Sequence, residues 1–318
     1  MPQNPFKPTA GATPPLLIGR EDVLEEVTES LEDGPGAPGR LVLFTGPRGV
    51  GKTVMLSEIG DLALHRGWIT ISETATRGLV DRLQSEVSRR LHDLEPVAAP
   101  RGSVTGLTLP VIGGGISVSP SPAEVVAWRH ELGRLLDVLE GRHVGLLITV
   151  DEVHKGARED LRTLAATMQH LIREDCEVAL AMAGMSSAVS DLLNDDVLTF
   201  LRRATPFELD SVSLDSVRSA LAETFATNGR SIDADALDEA ARATGGYPFM
   251  IQLVGYHVWR KADGGTVGLA QAREGIAAAR KRLGSTVHAT ALADLSDVDR
   301  TYLVAMAQDE GESATGEI

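Results

Sequence analysis

A glycine-rich segment near the N-terminus has the residue types and the spacing that bind a chain of phosphates. It follows the pattern G-x-x-x-x-G-K-T and consists of Gly46, Pro47, Arg48, Gly49, Val50, Gly51, Lys52 and Thr53. Glycines let the backbone approach an anion closely, so that consecutive N–H groups can surround the phosphates. In this Walker A pattern the lysine reaches the β- and γ-phosphates, and the threonine hydroxyl is a magnesium ligand. The segment therefore predicts a binding site for a nucleoside triphosphate and Mg²⁺.

Two adjacent acids, Asp151 and Glu152, directly follow the apolar run 144–150. In a Walker B motif, the aspartate at the strand tip holds Mg²⁺ through water, and the glutamate orients and polarises the attacking water as a general base. We therefore expect Thr53 and Asp151 at the metal and Glu152 in catalysis. A guanine-specific site would need an Asn-Lys-x-Asp loop, which the sequence lacks, so ATP is the favoured nucleotide. His154, just beyond the acids, is interpreted as incidental.

Short apolar runs alternate with segments of helical spacing, and these elements must position both motifs. The apolar runs, each predicted to be a strand, are 41–44, 68–71, 144–150, 178–183 and 206–209. Continuous apolar runs indicate strands buried on both faces, as in a parallel sheet, and right-handed crossovers then place helices on both faces. The predicted fold class is α/β: a P-loop NTPase parallel sheet sandwiched by helices, followed by an all-helical domain.

Changes in composition along the chain predict its domain boundaries. Residues 1–15 are rich in proline and are predicted to be a disordered leader. The nucleotide-binding α/β domain is expected over 16–210. Within it, residues 100–120 contain two β-like stretches around three consecutive glycines, which predict an inserted β-hairpin. Helical spacing over 211–285 predicts a second, all-helical domain, and residues 286–318 form a further segment.

Composition excludes several classes of protein. The 318 residues carry a formal net charge of −15, which argues against a surface that coats nucleic acid. Cys176 is the only cysteine, so an intramolecular disulfide and a cysteine-based zinc site are excluded. No apolar run reaches the roughly 20 residues of a membrane span, and the N-terminus lacks a secretion signal pattern. We therefore expect a cytoplasmic protein that does not bind membranes.

With these motifs the chain resembles the AAA+ ATPases of the archaeal-type, origin-recognition-like branch, close to the STAND signalling ATPases. Residues 18–21, Ile-Gly-Arg-Glu, resemble the box that opens these domains, which implies that Arg20 lies against the adenine. Residues 184–187, Gly-Met-Ser-Ser, follow the fourth predicted strand, where the family carries a polar sensor of the γ-phosphate. The resemblance implies Ser187 as that sensor, with Ser186 as second choice.

Two further segments carry the resemblance, which spans about residues 16–285. Residues 200–203, Phe-Leu-Arg-Arg, precede the fifth predicted strand, where the family places an arginine finger; this implies Arg203, or Arg202 as second choice. Residues 245–248, Gly-Gly-Tyr-Pro, resemble the turn that replaces the lid arginine in archaeal-type members. The resemblance implies that the helical domain over 211–285 is the lid, and that residues 286–318 are a partial winged-helix-like segment, because a winged helix often follows the lid in this family. Residues after 290 look like its beginning, so we expect an incomplete DNA-reading helix and a truncated chain.

The motifs and the resemblance together predict an ATPase that couples Mg-ATP binding and hydrolysis to a conformational change. A homo-oligomer and DNA, bound through the winged helix, are the expected partners besides ATP. The alternative is a slowly hydrolysing, nucleotide-dependent switch or scaffold that recruits DNA or a protein partner; steady ATP turnover distinguishes the two. A nucleotide kinase is disfavoured by the all-helical second domain. Two residues have alternative interpretations without a role at the site: Arg20 as a surface charge, and Arg203 as the ion-pair partner of Glu208 or another acid.

Overall fold

The computed structural model describes most of the chain, and every structural statement below refers to that part. The described residues are 3–9, 11, 12, 14, 17–94, 122–193, 196–262, 265–285, 292 and 295–308. The chain divides into two compact units. The α/β unit comprises residues 17–211 with 10–13, and the helical unit comprises residues 212–318 with 1–9 and 14–16.

The α/β unit is built on a sheet of five strands, all paired in parallel. The strands are β1 (Leu41–Thr45), β2 (Ile69–Thr74), β3 (Leu146–Val153), β4 (Val178–Gly184) and β5 (Thr205–Glu208). Their order across the sheet is β2-β3-β4-β1-β5. Gly184 at the end of β4 is in register with Thr45 on one side and Val153 on the other, so three strand ends meet at one edge. The predicted parallel sheet is confirmed.

Six helices and three short 3₁₀ segments cover this sheet. The helices are α1 (Glu21–Asp33), α2 (Lys52–His65), α3 (Leu79–Leu94), α4 (Pro122–Glu140), α5 (Arg158–Arg173) and α6 (Ser186–Leu193). The 3₁₀ segments are Pro38–Arg40, Lys155–Ala157 and Asp196–Arg203. Every residue of β4 is buried, as expected for a central parallel strand. Leu83 and Val87 of α3 and Trp128 of α4 belong to the same buried cluster as Ile148 of β3.

A buried arginine stabilises the end of the sheet where β1 begins. Arg40 donates hydrogen bonds to the carbonyl oxygens of Ser30 and Leu31, at 2.8 Å each, near the end of α1. Its guanidinium also pairs with Glu177 at 2.6 Å and lies over the Trp68 ring, 5.0 Å from the centroid. A buried cation is tolerated only when it is paired in this way. This end of the sheet is therefore a structural anchor, opposite to the edge where the strands finish.

Within its described residues, the helical unit contains five helices and a small parallel ribbon. The helices are α7 (Leu214–Thr227), α8 (Ala234–Thr244), α9 (Pro248–Trp259), α10 (Leu269–Leu283) and α11 (Asp297–Met306), and the ribbon pairs β6 (Ser231–Ile232) with β7 (Thr266–Val267). Gly245 ends α8 with a left-handed φ of 57°, and Pro248 occupies the first turn of α9. The Gly-Gly-Tyr-Pro segment therefore forms the turn between two helices, as its composition requires.

The N-terminal segment is ordered where the sequence predicted a disordered leader. Phe6 is only 3% exposed, and its ring lies 5.7 Å from that of Phe225 and 6.4 Å from that of Trp259. The Asn4 amide donates to the carbonyl of Tyr256 at 3.0 Å. The prediction of disorder over 1–15 therefore does not hold for residues 3–9, because one buried aromatic ring outweighs the surrounding prolines.

Some predictions concern residues that the structure describes only in part. The β-hairpin expected at 100–120 lies outside the described residues. Of the winged-helix-like segment 286–318, the structure describes α11, in which no residue is buried, and a few residues before and after it. That segment stays a prediction. Among the described residues, no helix is both long and apolar enough to cross a membrane.

Candidate functional site

The glycine-rich loop connects β1 to α2 at the edge where the strands end. Three of its residues, Gly46, Gly49 and Gly51, have φ values of 145°, 77° and 97°, a region that favours glycine. Gly51 is the N-cap of α2, and no side chain caps the free N–H groups of the first turn. These N–H groups and the positive end of the helix dipole make the loop a binding site for an anion.

Lys52 lies over its own loop. Its ammonium donates hydrogen bonds to the carbonyl oxygens of Gly46 at 2.9 Å and Pro47 at 2.6 Å. Burial lowers the pKa of Lys52 from its ordinary value, the Asp151 carboxylate opposes this change, and Arg48 adds to it. The cation therefore lies where phosphate oxygens bound in the loop would compete for the same donor.

The two predicted metal ligands meet directly. Thr53 Oγ1, at the start of α2, donates to Oδ2 of Asp151, at the tip of β3, over 2.5 Å. Both side chains offer oxygen, the ligand atom that Mg²⁺ prefers. No group of three or more His, Cys, Asp or Glu residues that could hold a metal occurs among the described residues. The donor set fits a Mg²⁺ ion that completes its coordination with phosphate oxygens and water rather than a site built only from protein ligands.

Glu152 has an unusual backbone conformation at the end of β3. Its φ is 54°, in the left-handed region that non-glycine residues seldom adopt. The pairing of β3 with β4 shifts register between Val150 and Val153, so a bulge surrounds the two acids. The Glu152 N–H donates to Oδ1 of Asp151 at 2.7 Å. The bulge therefore interrupts strand alternation at the two acids, and Glu152 is exposed.

Ser187 and Ser186 lie in the first turn of α6, just after β4 ends at Gly184. Both are exposed. In the part of the chain that the structure describes, no hydrogen bond joins either serine to Asp151 or Glu152. The topology thus places Ser187 at the same edge of the sheet, and its sensor role stays a prediction.

The two finger candidates differ in their contacts. Arg202 Nε donates to the carbonyl of Leu193 at 2.6 Å, at the end of α6. Arg203 is exposed, and no ion pair with Glu208 occurs in the described ranges. Arg202 is therefore engaged in holding the backbone, whereas the alternative role considered for Arg203, an ion pair with Glu208, finds no support. Arg203 as the finger remains a prediction.

Arg20 and a segment after β5 form a contact beside the loop that the sequence did not predict. The Arg20 guanidinium donates to the carbonyl of Asp210. Leu209 precedes Asp210, and a Cβ built on Gly46 would lie 2.3 Å from its carbonyl oxygen. In both contacts the partner on the segment after β5 is a main-chain carbonyl, so the side chains of that segment carry no signal for them.

Comparisons with known proteins agree with this geometry. The family model described as AAA ATPase domain matches residues 16–180, which include the glycine-rich loop and both acids. No match was found among curated protein sequences.

Several solved structures share the fold. The Orc1 protein of Aeropyrum pernix in complex with DNA is 17% identical with a TM-score of 0.53, over 93% of this chain and 74% of that chain. The Orc2 protein of the same organism, in ADPNP–ADP complexes, is 13% identical with a TM-score of 0.56, over 91% and 74%. The Walker-type ATPase paby2304 of Pyrococcus abyssi is 19% identical with a TM-score of 0.56, over 90% and 76%.

At these identities the solved structures establish the fold alone, a P-loop NTPase sheet with flanking helices and a helical second unit. The family match spans more than half of the chain and includes the loop, the acids and most of the sheet. The chain therefore belongs to the AAA ATPase domain family, and it is a P-loop ATP hydrolase.

Proposed function

We propose that this ATPase binds Mg-ATP between the Gly46–Thr53 loop and Asp151, and that binding and hydrolysis drive a conformational change. The observation that carries the proposal is the 2.5 Å contact between Thr53 Oγ1 and Asp151 Oδ2. It brings one ligand from the start of a helix and one from a strand tip to a single point beside the anion-binding loop.

The residues divide the chemistry between them. The loop N–H groups and Lys52 bind the phosphates, and Thr53 and Asp151 would hold Mg²⁺. When bound, Mg²⁺ neutralises charge on the β- and γ-phosphate oxygens. Glu152 accepts a proton from the water whose oxygen attacks the γ-phosphorus. The bond between that phosphorus and the β–γ bridging oxygen breaks, which yields ADP and inorganic phosphate.

Three further assignments belong to this proposal. Ser187 senses the γ-phosphate from the start of α6, Arg20 supports nucleotide binding, and Arg203 acts on ATP held by a neighbouring copy of the chain. An outward-facing arginine cannot help its own nucleotide, so the last assignment implies a homo-oligomer. The engagement of Arg202 with the Leu193 carbonyl supports the choice of Arg203.

DNA is proposed only as a weak partner of this chain. The Aeropyrum pernix Orc1 structure is a complex with DNA. The net charge of −15 opposes phosphate binding by the present chain. A switch or scaffold that hydrolyses ATP slowly is the second candidate, and steady ATP turnover distinguishes the two. The predicted cytoplasmic location stays a prediction.

ATP titration and phosphate release together test the proposal. Wild-type protein should bind ATP with Mg²⁺ and release phosphate steadily, and Lys52→Ala should lose most ATP affinity because its ammonium faces the phosphates. Lys281→Ala, which removes an exposed lysine from α10, serves as the matched control and should bind as wild type does. Unchanged affinity in Lys52→Ala would overturn the site. Binding without turnover would favour the switch.

A further inference from the structure

Leu209 supports the glycine-rich loop from the side of β5. The pairing of β1 with β5 continues past the last strand residues, because the Leu209 N–H donates to the carbonyl of Thr45 at 2.7 Å. The Leu209 carbonyl oxygen in turn lies so close to Gly46 that a Cβ there would approach it to 2.3 Å. Real Cβ atoms do not approach oxygen so closely, so the loop's first glycine and the Leu209 peptide are packed against each other.

Arg20 holds the next residue of this segment. Its guanidinium donates to the Asp210 carbonyl, whereas the Asp210 carboxylate accepts from the Ser211 N–H at 2.7 Å. The main-chain carbonyl and the carboxylate of Asp210 thus bind different partners. A charge-assisted hydrogen bond of this kind is stronger than one between neutral groups. The Arg20 contact is therefore a charge-assisted restraint on the Asp210–Ser211 peptide, one peptide beyond the Leu209 carbonyl.

The position of Arg20 is itself restrained. Its carbonyl accepts the N–H of Leu24 at 3.1 Å, as the N-cap of α1. The preceding Gly19 has φ 64°, and its N–H donates to Oε1 of Glu21 at 3.2 Å. Arg20 therefore projects from the fixed start of a helix, and its guanidinium is half-buried.

We propose that Arg20 is a positioning residue for the phosphate-binding loop: it holds the Leu209–Asp210 backbone against Gly46 and so maintains the loop conformation that binds a triphosphate. This inference rests on the proposed function. It differs from a contact between Arg20 and the adenine, because the guanidinium acts through a backbone segment that packs against Gly46 of the loop. A positioning role affects the binding of any triphosphate, with or without a base.

The two roles are separated by a ligand that lacks the adenine. Dissociation constants are measured for Mg-ATP and for inorganic tripolyphosphate with Mg²⁺, using wild type, Arg20→Ala and Arg20→Lys. Arg20→Ala should weaken both ligands about equally, by about ten-fold, the scale of one lost hydrogen bond to a charged group. Arg20→Lys, which keeps one charged donor, should recover part of the loss. Arg66→Ala, which removes an exposed arginine paired with Glu32 on the same unit, should change neither ligand.

A weaker affinity for ATP alone would overturn the proposal in favour of an adenine contact. Unchanged affinity for both ligands would overturn it as well. If Arg20→Ala does not fold, the comparison of Arg20→Lys with wild type decides the same question, because its single donor should still weaken both ligands equally.

Hydrogen exchange at the Leu209 amide tests the positioning without any ligand. The hydrogen bond to Thr45 protects this amide, and protection should fall in Arg20→Ala but not in Arg66→Ala. Equal protection in both variants would contradict the proposal. This measurement also separates the two failures: a wild-type chain that binds no triphosphate would refute the proposed function, while the exchange data would still decide the role of Arg20.

Discussion

Thr53 and Asp151 lie 98 positions apart in the chain, yet the hydroxyl of one donates to the carboxylate of the other over 2.5 Å. The contact depends on topology. Thr53 follows β1 through the loop, Asp151 ends β3, and β4 lies between these strands with its end in register with both. The sheet order therefore brings together the two residues that we propose as magnesium ligands.

Asp151→Asn should reduce the dependence of ATP binding on magnesium. The amide keeps the size of the carboxylate but removes the charge that holds the hydrated metal, so the gain in ATP affinity on adding Mg²⁺ should shrink about ten-fold. Titrations in Mg²⁺ and in EDTA measure this gain. Asp61→Asn, on the exposed side of α2, is the control and should behave as wild type does. A full magnesium effect in Asp151→Asn would exclude Asp151 from the metal site.

Glu152→Gly should fold more stably than Glu152→Ala. Both variants lose the carboxylate, but glycine adopts φ near 54° without the cost of about 1 kcal/mol that a Cβ carries there. Part of this gain is offset by the larger entropy of glycine in the unfolded chain. Urea unfolding of the two variants measures the difference. Equal stability, or a more stable alanine variant, would show that the backbone at this position is not strained.

Phe6→Ala should destabilise the helical unit. The ring is buried against Phe225 and Trp259, and a buried Phe→Ala change costs about 3 kcal/mol or more. The decrease in the free energy of unfolding cannot exceed the free energy with which residues 3–9 bind to the rest of the unit. A segment that is weakened further simply detaches. Thermal unfolding measures the effect, and Lys7→Ala, an exposed neighbour, is the control. An unchanged unfolding temperature would mean that the segment does not stabilise the unit.

Arg203→Ala and Glu152→Gln subunits should complement each other when mixed. If Arg203 acts across a subunit boundary, the Glu152→Gln subunit supplies an intact arginine to the Arg203→Ala subunit, which has an intact Glu152. An arginine finger contributes about 10³ or more in rate. Hydrolysis per subunit should also rise with protein concentration. Arg202→Ala is the comparison, because the Arg202 side chain binds the Leu193 carbonyl. This variant should have lower stability, and mixing it with Glu152→Gln subunits should not restore hydrolysis. Turnover that is independent of concentration, with no rescue on mixing, would exclude the finger.

Features that rest on side-chain patterns were predictable from the sequence. The apolar runs identified all five strands of the large sheet. The glycine-rich loop and the two acids could be placed at strand ends, because each directly follows an apolar run. The contact between Thr53 and Asp151 follows once the strands are parallel, because the carboxyl ends of parallel strands share an edge. The two-residue ribbon of β6 and β7 is too short to produce a pattern.

Features that rest on main-chain geometry or on single residues were not predictable. The Leu209 carbonyl against Gly46 is a contact between backbone atoms, and the conformation of Glu152 arises from a bulge that no residue type marks. Phe6 is one aromatic ring in a segment rich in proline, so composition predicted disorder although packing decides otherwise. Arg202 and Arg203 are chemically identical, and only the structure separates their contacts.

Single-turnover hydrolysis by Glu152→Gln tests the central claim most directly, because the claim assigns binding and chemistry to different residues of one site. ATP affinity and the rate of phosphate release are measured on the same preparation, with wild type alongside. The account predicts that ATP affinity is retained and that the rate falls by about 10² or more, the scale of losing a general base. A Glu152→Gln protein that hydrolyses bound ATP at the wild-type rate would contradict it.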